Sequence, residues 1–270
     1  MKRNAVLFFI VFTALVFIPF IGAESPRGQS LNGSTGLYSI PSGRLGWEGE
    51  NKAAFDFGYR AIINNDAGIT HIPAITAVIS EWVEISAAFD FQPDNDGYYC
   101  DDLLLGLKVK MPTAKTTAIA VGVNVNILNI SDSIRYNSYQ PYVAITYPGT
   151  IFNMSAETTI VFGKTFYSDG PENNSNIDFG MGFALNLFPD VLGNIVHWVI
   201  DFANFGYSDD PWTEGSAINR GVLNTGFRFN LSDIPALSQF KLLIDLAFND
   251  LFDAGYRSFT IGAVMGFSVR

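Results

Sequence analysis

Cysteine is nearly absent from this chain. Of 270 residues only Cys100 carries a thiol, which excludes an internal disulfide framework and a cysteine-based zinc site. Histidine is almost as scarce, with His71 and His197 far apart in the chain. Basic side chains are few: 16 Lys and Arg stand against 26 Asp and Glu, a net charge of −10, so a general nucleic-acid binder, which needs a basic footprint, is disfavoured. Charge as a whole is low at 16%, while aromatics reach 14% with 24 Phe. Disordered chains show the opposite balance. The length suits one large domain or two small ones.

Long apolar runs are missing as well, with one exception at the start. Lys2 and Arg3 precede an apolar stretch from Ala5 to Ile21, which closes on Gly22 and Ala23 before Glu24 and Ser25. Residues 1–23 therefore read as a secretory signal peptide, since a basic start, an apolar core and small residues before a polar break are what export and cleavage require. No cysteine follows the run, so a lipid anchor is not expected. Without Lys2 and Arg3 the 16 basic groups fall to 14 against 26 acidic ones, a charge of −12. Beyond Ala23 no stretch has the roughly 20 apolar residues that a membrane helix needs. An exported chain without such a helix is a soluble domain or a closed β-barrel.

What is present in abundance is a period of two. Phe259, Ile261, Ala263, Met265, Phe267 and Val269 share one face, opposite Ser258, Thr260, Gly262, Gly266 and Ser268. The same alternation sets Phe55, Phe57 and Tyr59 against Asp56, Gly58 and Arg60, and Ile85, Ala87, Phe89 and Phe91 against Glu84, Ser86, Ala88 and Asp90. Such patterns specify strands with one apolar face. Twelve are expected, near 52–63, 71–80, 82–91, 103–111, 117–128, 139–147, 152–166, 176–188, 195–207, 220–231, 241–249 and 257–269. Their connections alternate between polar loops (64–70, 92–102, 129–138, 167–175, 208–219 and 250–256) and shorter or more apolar turns (around Glu81, 112–116, 148–151, 189–194 and 232–239).

An even strand number with polar loops at one end and tight turns at the other predicts an all-β fold, a transmembrane up-and-down antiparallel β-barrel of about 12 strands. Both termini then lie on the periplasmic side. The polar face separates this from a soluble sandwich, whose outer face carries many Lys, Glu and Thr. Here that face is mostly Gly, Ala, Ser and Asn, as a crowded lumen requires, and the other face is almost free of charge. A ten-residue strand rises about 33 Å and, tilted by about 40°, covers the ~25 Å apolar band of an outer membrane. The expected layout is a leader at 1–23, an N-terminal periplasmic or plug segment at 24–51, and a barrel at 52–270. The outer membrane of a diderm bacterium is the expected location, with its lipid as a partner.

Two stretches resemble known proteins. Thr260-Ile261-Gly262-Ala263-Val264-Met265-Gly266-Phe267 resembles the terminal-strand signal of bacterial outer-membrane proteins, which implies insertion by the barrel assembly machinery. Gly33-Ser34-Thr35-Gly36-Leu37-Tyr38-Ser39-Ile40-Pro41-Ser42-Gly43-Arg44, with Gly49 after it, is similar to the opening of an outer-membrane family linked to exopolysaccharide export. That family carries Thr-Gly-Leu, then Pro, then Thr-Ala-Arg; Ser42-Gly43 replace Thr-Ala here. Read from its residues alone, the segment is a loop or short strand entering the barrel, turned by Pro41 and Gly43.

The inward charges are the most informative site candidates: Asp56, Arg60, Glu84, Asp90, Lys108, Lys110, Asp178, Arg228 and Asp245. Pairing Phe91 with Leu103 across the 92–102 loop would set Asp90 opposite Leu104 and Glu84 opposite Lys110. The charges either satisfy one another across a hydrated interior or line a pore and set its selectivity. Catalysis is not expected, although His197 shares a face with Asp201, the one place where proton chemistry could be sought. The Asp94-Asn95-Asp96-Gly97 stretch reads as a solvated loop, because Leu105 stands where a calcium loop needs Glu. No metal and no cofactor are expected. The function expected is passive passage of small solutes, with a structural or export-accessory barrel lacking an open pore as the alternative.

Overall fold

The computed structural model describes residues 27–47, 53–64, 68–94, 97–113, 116–128, 130, 136–168, 177–204, 221–237, 240–252 and 257–269. The expected leader at 1–23 lies outside these residues, as do most of the expected polar loops. Two short strands, β1 (Gly28–Gln29) and β2 (Thr35–Gly36), come first and pair with each other. The wall follows: β3 (Ala53–Asn64), β4 (Gly68–Ile79), β5 (Val83–Asp94), β6 (Gly97–Met111), β7 (Ala118–Leu128), β8 (Tyr136–Ile151), β9 (Met154–Gly163), β10 (Phe166–Ser168), β11 (Asp178–Asn186), β12 (Val196–Ala203), β13 (Val222–Asn230), β14 (Lys241–Asn249) and β15 (Ser258–Val269). Every wall strand is antiparallel to its neighbours. The last closes on the first, Val269 standing opposite Ala53 and Phe259 opposite Ile63. β9 and β10 both lie on β8 and count as one interrupted strand. The fold is thus a closed, twelve-strand, up-and-down antiparallel barrel, in which the first and last strands pair instead of standing as free edges.

The period of two sorts the side chains as the sequence leads one to expect. Outward positions carry Phe57, Tyr59, Ile75, Ile85, Phe89, Leu105, Leu107, Val109, Val121, Val143, Phe162, Ile261, Met265 and Phe267, all substantially exposed. Among the described residues of the wall, no Asp, Glu, Lys or Arg whose burial is known takes an outward position. One outward polar group, the Trp198 indole, donates to Thr225 Oγ1 at 2.7 Å. Soluble monomers do not expose an apolar belt of this extent.

Three local expectations are corrected. The 92–102 stretch is mostly strand rather than loop: β5 runs to Asp94, β6 begins at Gly97, and those two residues pair. The register then slips between Asp90 and Phe91, where Cys100 faces Phe91 but Asp102 faces Asp90, so Asp101 is the extra residue of a bulge. Glu84 consequently stands opposite Lys108, not Lys110, and Asp90 opposite Asp102, not Leu104. The expected 148–151 turn belongs to β8, and reversal falls on Phe152 and Asn153. Both have positive φ, 52° and 62°, as a two-residue turn that follows the right-handed twist of its strands demands. The expected 152–166 strand breaks between Gly163 and Phe166.

Candidate functional site

The lumen is not empty. Residues 27–47 enter from the end of the barrel that carries the tight turns, rise as the β1–β2 hairpin and return, and nearly all of them are buried. The hairpin turns at Gly33, whose φ of 79° is the left-handed conformation that glycine adopts without strain. Gly33 N donates to Ser30 O at 3.0 Å and Ser30 N to Ser34 O at 2.7 Å.

Apolar contacts fix the segment at three heights. Leu31 joins Ile62, Ile72, Ala74, Ala88, Leu104, Leu128 and Val222 near the loop end. Leu37, Tyr38 and Ile40 pack on Tyr142, Ala144, Val161, Ala184, Val199, Ala203 and Ala247. Leu45 meets Ala54 and Val78, with Trp47 beside them, at the turn end. Small wall residues make room for this packing: a Cβ on Gly180 would come within 2.6 Å of Ile40 Cγ2. Gly182 makes room for Leu37 and Gly58 for Gln29 in the same way. Burying side chains such as Ile40 and Leu45, each 0% exposed, contributes about 2 kcal/mol apiece.

Polar contacts hold the segment as well. Glu84 forms an ion pair with Lys108 at 2.9 Å, and its two oxygens also accept from Thr35 N at 2.8 Å, Thr35 Oγ1 at 2.6 Å, Ser34 Oγ at 3.0 Å and Gly46 N at 3.0 Å. Lys108 in turn donates to Thr35 O at 3.0 Å. Asp201 accepts from Tyr38 N at 2.7 Å, Ser39 N at 2.8 Å, Ser39 Oγ at 3.0 Å and Asn224 Nδ2 at 2.8 Å. Arg228 holds Asp245 through two parallel bonds, Nε to Oδ1 at 2.8 Å and Nη2 to Oδ2 at 3.0 Å, while Nη1 donates to Gly36 O at 3.1 Å. Arg60 donates to Ser30 O at 2.9 Å and also to Gln29 O. Asp56 is bound by Lys241 at 2.6 Å and by the Trp47 indole at 2.7 Å. Arg44 pairs with Glu157 at 2.6 Å. Buried charges in this state are hydrogen-bonded as well as paired, the condition under which their desolvation is offset. The Tyr38 ring lies under the Arg228 guanidinium, 5.8 Å from centroid to Cζ. Burial, aided by Asp245, pushes its phenol well up, so it stays neutral.

Asp56, Arg60, Glu84, Lys108, Arg228 and Asp245 thus sit around the inserted segment, and all are buried on the inner face. Asp178 lies apart, in a side-chain network where Gln140 Nε2 donates to it at 2.9 Å and Thr165 Oγ1 at 2.6 Å. Asp90 faces Asp102 across the bulge, both buried. Lys110 is half-buried at the turn end of β6. Four residues of this site escaped the sequence reading as lumen groups: Glu157, Asp201, Lys241 and Thr146, which accepts from Gly43 N at 2.9 Å. Parity contains the signal for two of them, since Lys241 shares a face with Asp245 and Asp201 with His197. What parity cannot supply is the partner, because the partner is the segment.

Two chemistries find no support in this arrangement. Asp201 spends its oxygens on the segment and Asn224, and His197, fully buried, has Nε2 3.1 Å from Asn194 O, so among the described residues no carboxylate is seen to orient the ring for a relay. Among the described residues no three His, Cys, Asp or Glu side chains converge on a common point that could hold a metal.

No protein-family model matches the sequence, and no curated protein matches it. Solved structures resemble the fold at low identity. The outer membrane protein Omp33 of Acinetobacter baumannii is 12% identical with a TM-score of 0.44, over 81% of this chain and 98% of that one. The NanC porin is 9% identical at 0.47, over 80% and 98%. The COG4313 outer membrane channel from Pseudomonas putida F1 is 10% identical at 0.45, over 82% and 97%.

Proposed function

We propose that the protein is an outer-membrane β-barrel that passes small solutes through its lumen and is shut at rest by residues 27–47. Placement in a membrane is supported by the uncharged, exposed apolar belt on a closed barrel; no helix among the described residues is long and apolar enough to cross. One observation carries the channel reading: what fills the lumen is a separable chain segment, not the wall. Many inward residues of the wall are small or charged, as at Gly58, Gly106, Gly180, Gly182 and Gly262, and its larger apolar ones, such as Ile62, Leu104 and Val161, are covered by the segment. Withdrawal of the segment would leave a polar path lined by Arg60, Glu84, Lys108, Asp201, Arg228 and Asp245, the kind of lining through which pores select ions and solutes.

The length and number of the segment's attachments favour a second reading, a structural or export-accessory barrel that never opens. Planar-bilayer recording separates the two. The full chain should show rare, brief openings, and the Leu31→Asp, Ile40→Asp variant, which places unpaired charges in two apolar contacts of the segment, should conduct steadily. A variant that folds as a barrel and gives no current supports the structural reading.

A further inference from the structure

The charged wall groups address the segment mainly through its backbone. Arg60 donates to Gln29 O and Ser30 O, Lys108 to Thr35 O, Arg228 to Gly36 O and Lys241 to Gly46 O. The wall carboxylates take the complementary groups: Glu84 accepts from Thr35 N and Gly46 N, and Asp201 from the consecutive N–H groups of Tyr38 and Ser39. At Thr35 the cross-strand Glu84–Lys108 pair binds both the N–H and the C=O of a single residue. Side chains add Ser34, Thr35 and Ser39 hydroxyls on the same carboxylates, Arg44 on Glu157 and Trp47 on Asp56. A segment needed only as filler could be held by apolar packing, whereas cations set against carbonyls and carboxylates set against amides match groups that every polypeptide carries.

From this geometry we infer that the lumen is a binding site for polypeptide main chain, in which peptides of other sequence compete for the place that residues 27–47 hold. The chemical class of ligand is therefore a peptide, and not an oligosaccharide, whose hydroxyls could satisfy the carboxylates but offer no alternating N–H and C=O at this spacing. The inference deepens the channel reading, which gives such a peptide its way in, but binding is measurable without any current.

The test uses the full chain carrying Leu31→Asp and Ile40→Asp, purified in detergent, with the wall intact and the segment loosened. A fluorescent synthetic peptide of residues 27–47 is titrated by anisotropy, then a scrambled peptide of the same composition, with maltohexaose as competitor. Both peptides should bind, the scrambled one at most about a hundredfold more weakly, because it keeps the main-chain contacts and loses only the placement of apolar side chains such as Leu31 and Ile40. Asp201→Asn in the same background should weaken both by about tenfold, and maltohexaose should displace neither. Should the double variant not assemble, Ile40→Asp alone serves. Three results would overturn the inference: no peptide binding to a folded barrel, loss of more than about a hundredfold on scrambling, or displacement by maltohexaose as effective as by unlabelled peptide. Binding without current overturns only the channel reading, and current without binding overturns only this one.

Discussion

Arg228 shows what a lumen charge does here. Its guanidinium is 1% exposed, holds Asp245 through two bonds and reaches Gly36 O with a third. Truncation to Ala would leave the Asp245 carboxylate buried, with Arg60 at 3.8 Å as its remaining ion-pair partner. Removing one partner of a buried pair typically costs about 3–5 kcal/mol, so Arg228→Ala should lower unfolding stability by that order in urea titrations followed by tryptophan fluorescence. Lys110, half-buried at the turn end one inward position beyond Lys108, behaves differently. Lys110→Glu should cost less stability than Arg228→Ala yet shift permeability toward cations in the conducting Leu31→Asp, Ile40→Asp background, read as a change in reversal potential under a salt gradient. An unchanged reversal potential would remove Lys110 from the conduction path. Single residues of this kind were legible in the sequence because parity alone assigns a face. Their partners were not, since Gly36, Thr35 and Ser30 contribute main-chain atoms, which composition and periodicity do not mark.

At the scale of elements, the strands were the legible part and the hairpin between β5 and β6 the illegible one. Strand β14 occupies 241–249 as its alternation requires, and β3 and β15 shift by a single residue. The 92–102 stretch looked like a loop because Pro93, Asp94, Asn95, Asp96 and Gly97 are turn formers. Only Asn95 and Asp96 lie between the paired strands, however, and the one-residue bulge at Asp101 absorbs the difference in register. A bulge has no composition of its own, and a slip of one residue reverses the faces of everything beyond it. Deleting Asp101 should therefore be tolerated, because it removes only the extra residue and leaves Cys100 opposite Phe91 and Asp102 opposite Asp90 in a regular ladder. Deleting Leu105 from the regular part of β6 has no such outlet, since it turns Asp102, Leu103 and Leu104 to the opposite face before the bulge can absorb the slip, and heat-modifiable migration on gels should report loss of folded barrel for the second deletion but not for the first. Equal loss in both would mean that Asp101 is not the residue that absorbs the register.

The whole molecule is a tube with two interiors. Its outer surface is apolar and its buried charges lie inward, an inversion that only a non-aqueous exterior rewards. That inversion can be tested without knowing any solute. Leu105 lies outward near the middle of β6, between Ala87 and Val125 of the flanking strands, and is 37% exposed. Phe152 lies at the tip of the β8–β9 turn and is 74% exposed. In water the two positions would tolerate lysine about equally, the more exposed one somewhat better. Across a bilayer they must differ, because a lysine at the midplane of a barrel's lipid face costs about 2–4 kcal/mol and one near the interface about 0–1. Leu105→Lys should thus destabilise the barrel by about 1–4 kcal/mol more than Phe152→Lys when unfolding is measured in phosphatidylcholine vesicles, where the apolar thickness is preserved. If the two variants lose the same stability, the belt of Phe57, Ile85, Leu107, Val121 and Met265 faces something other than lipid, and the outer-membrane placement falls with it.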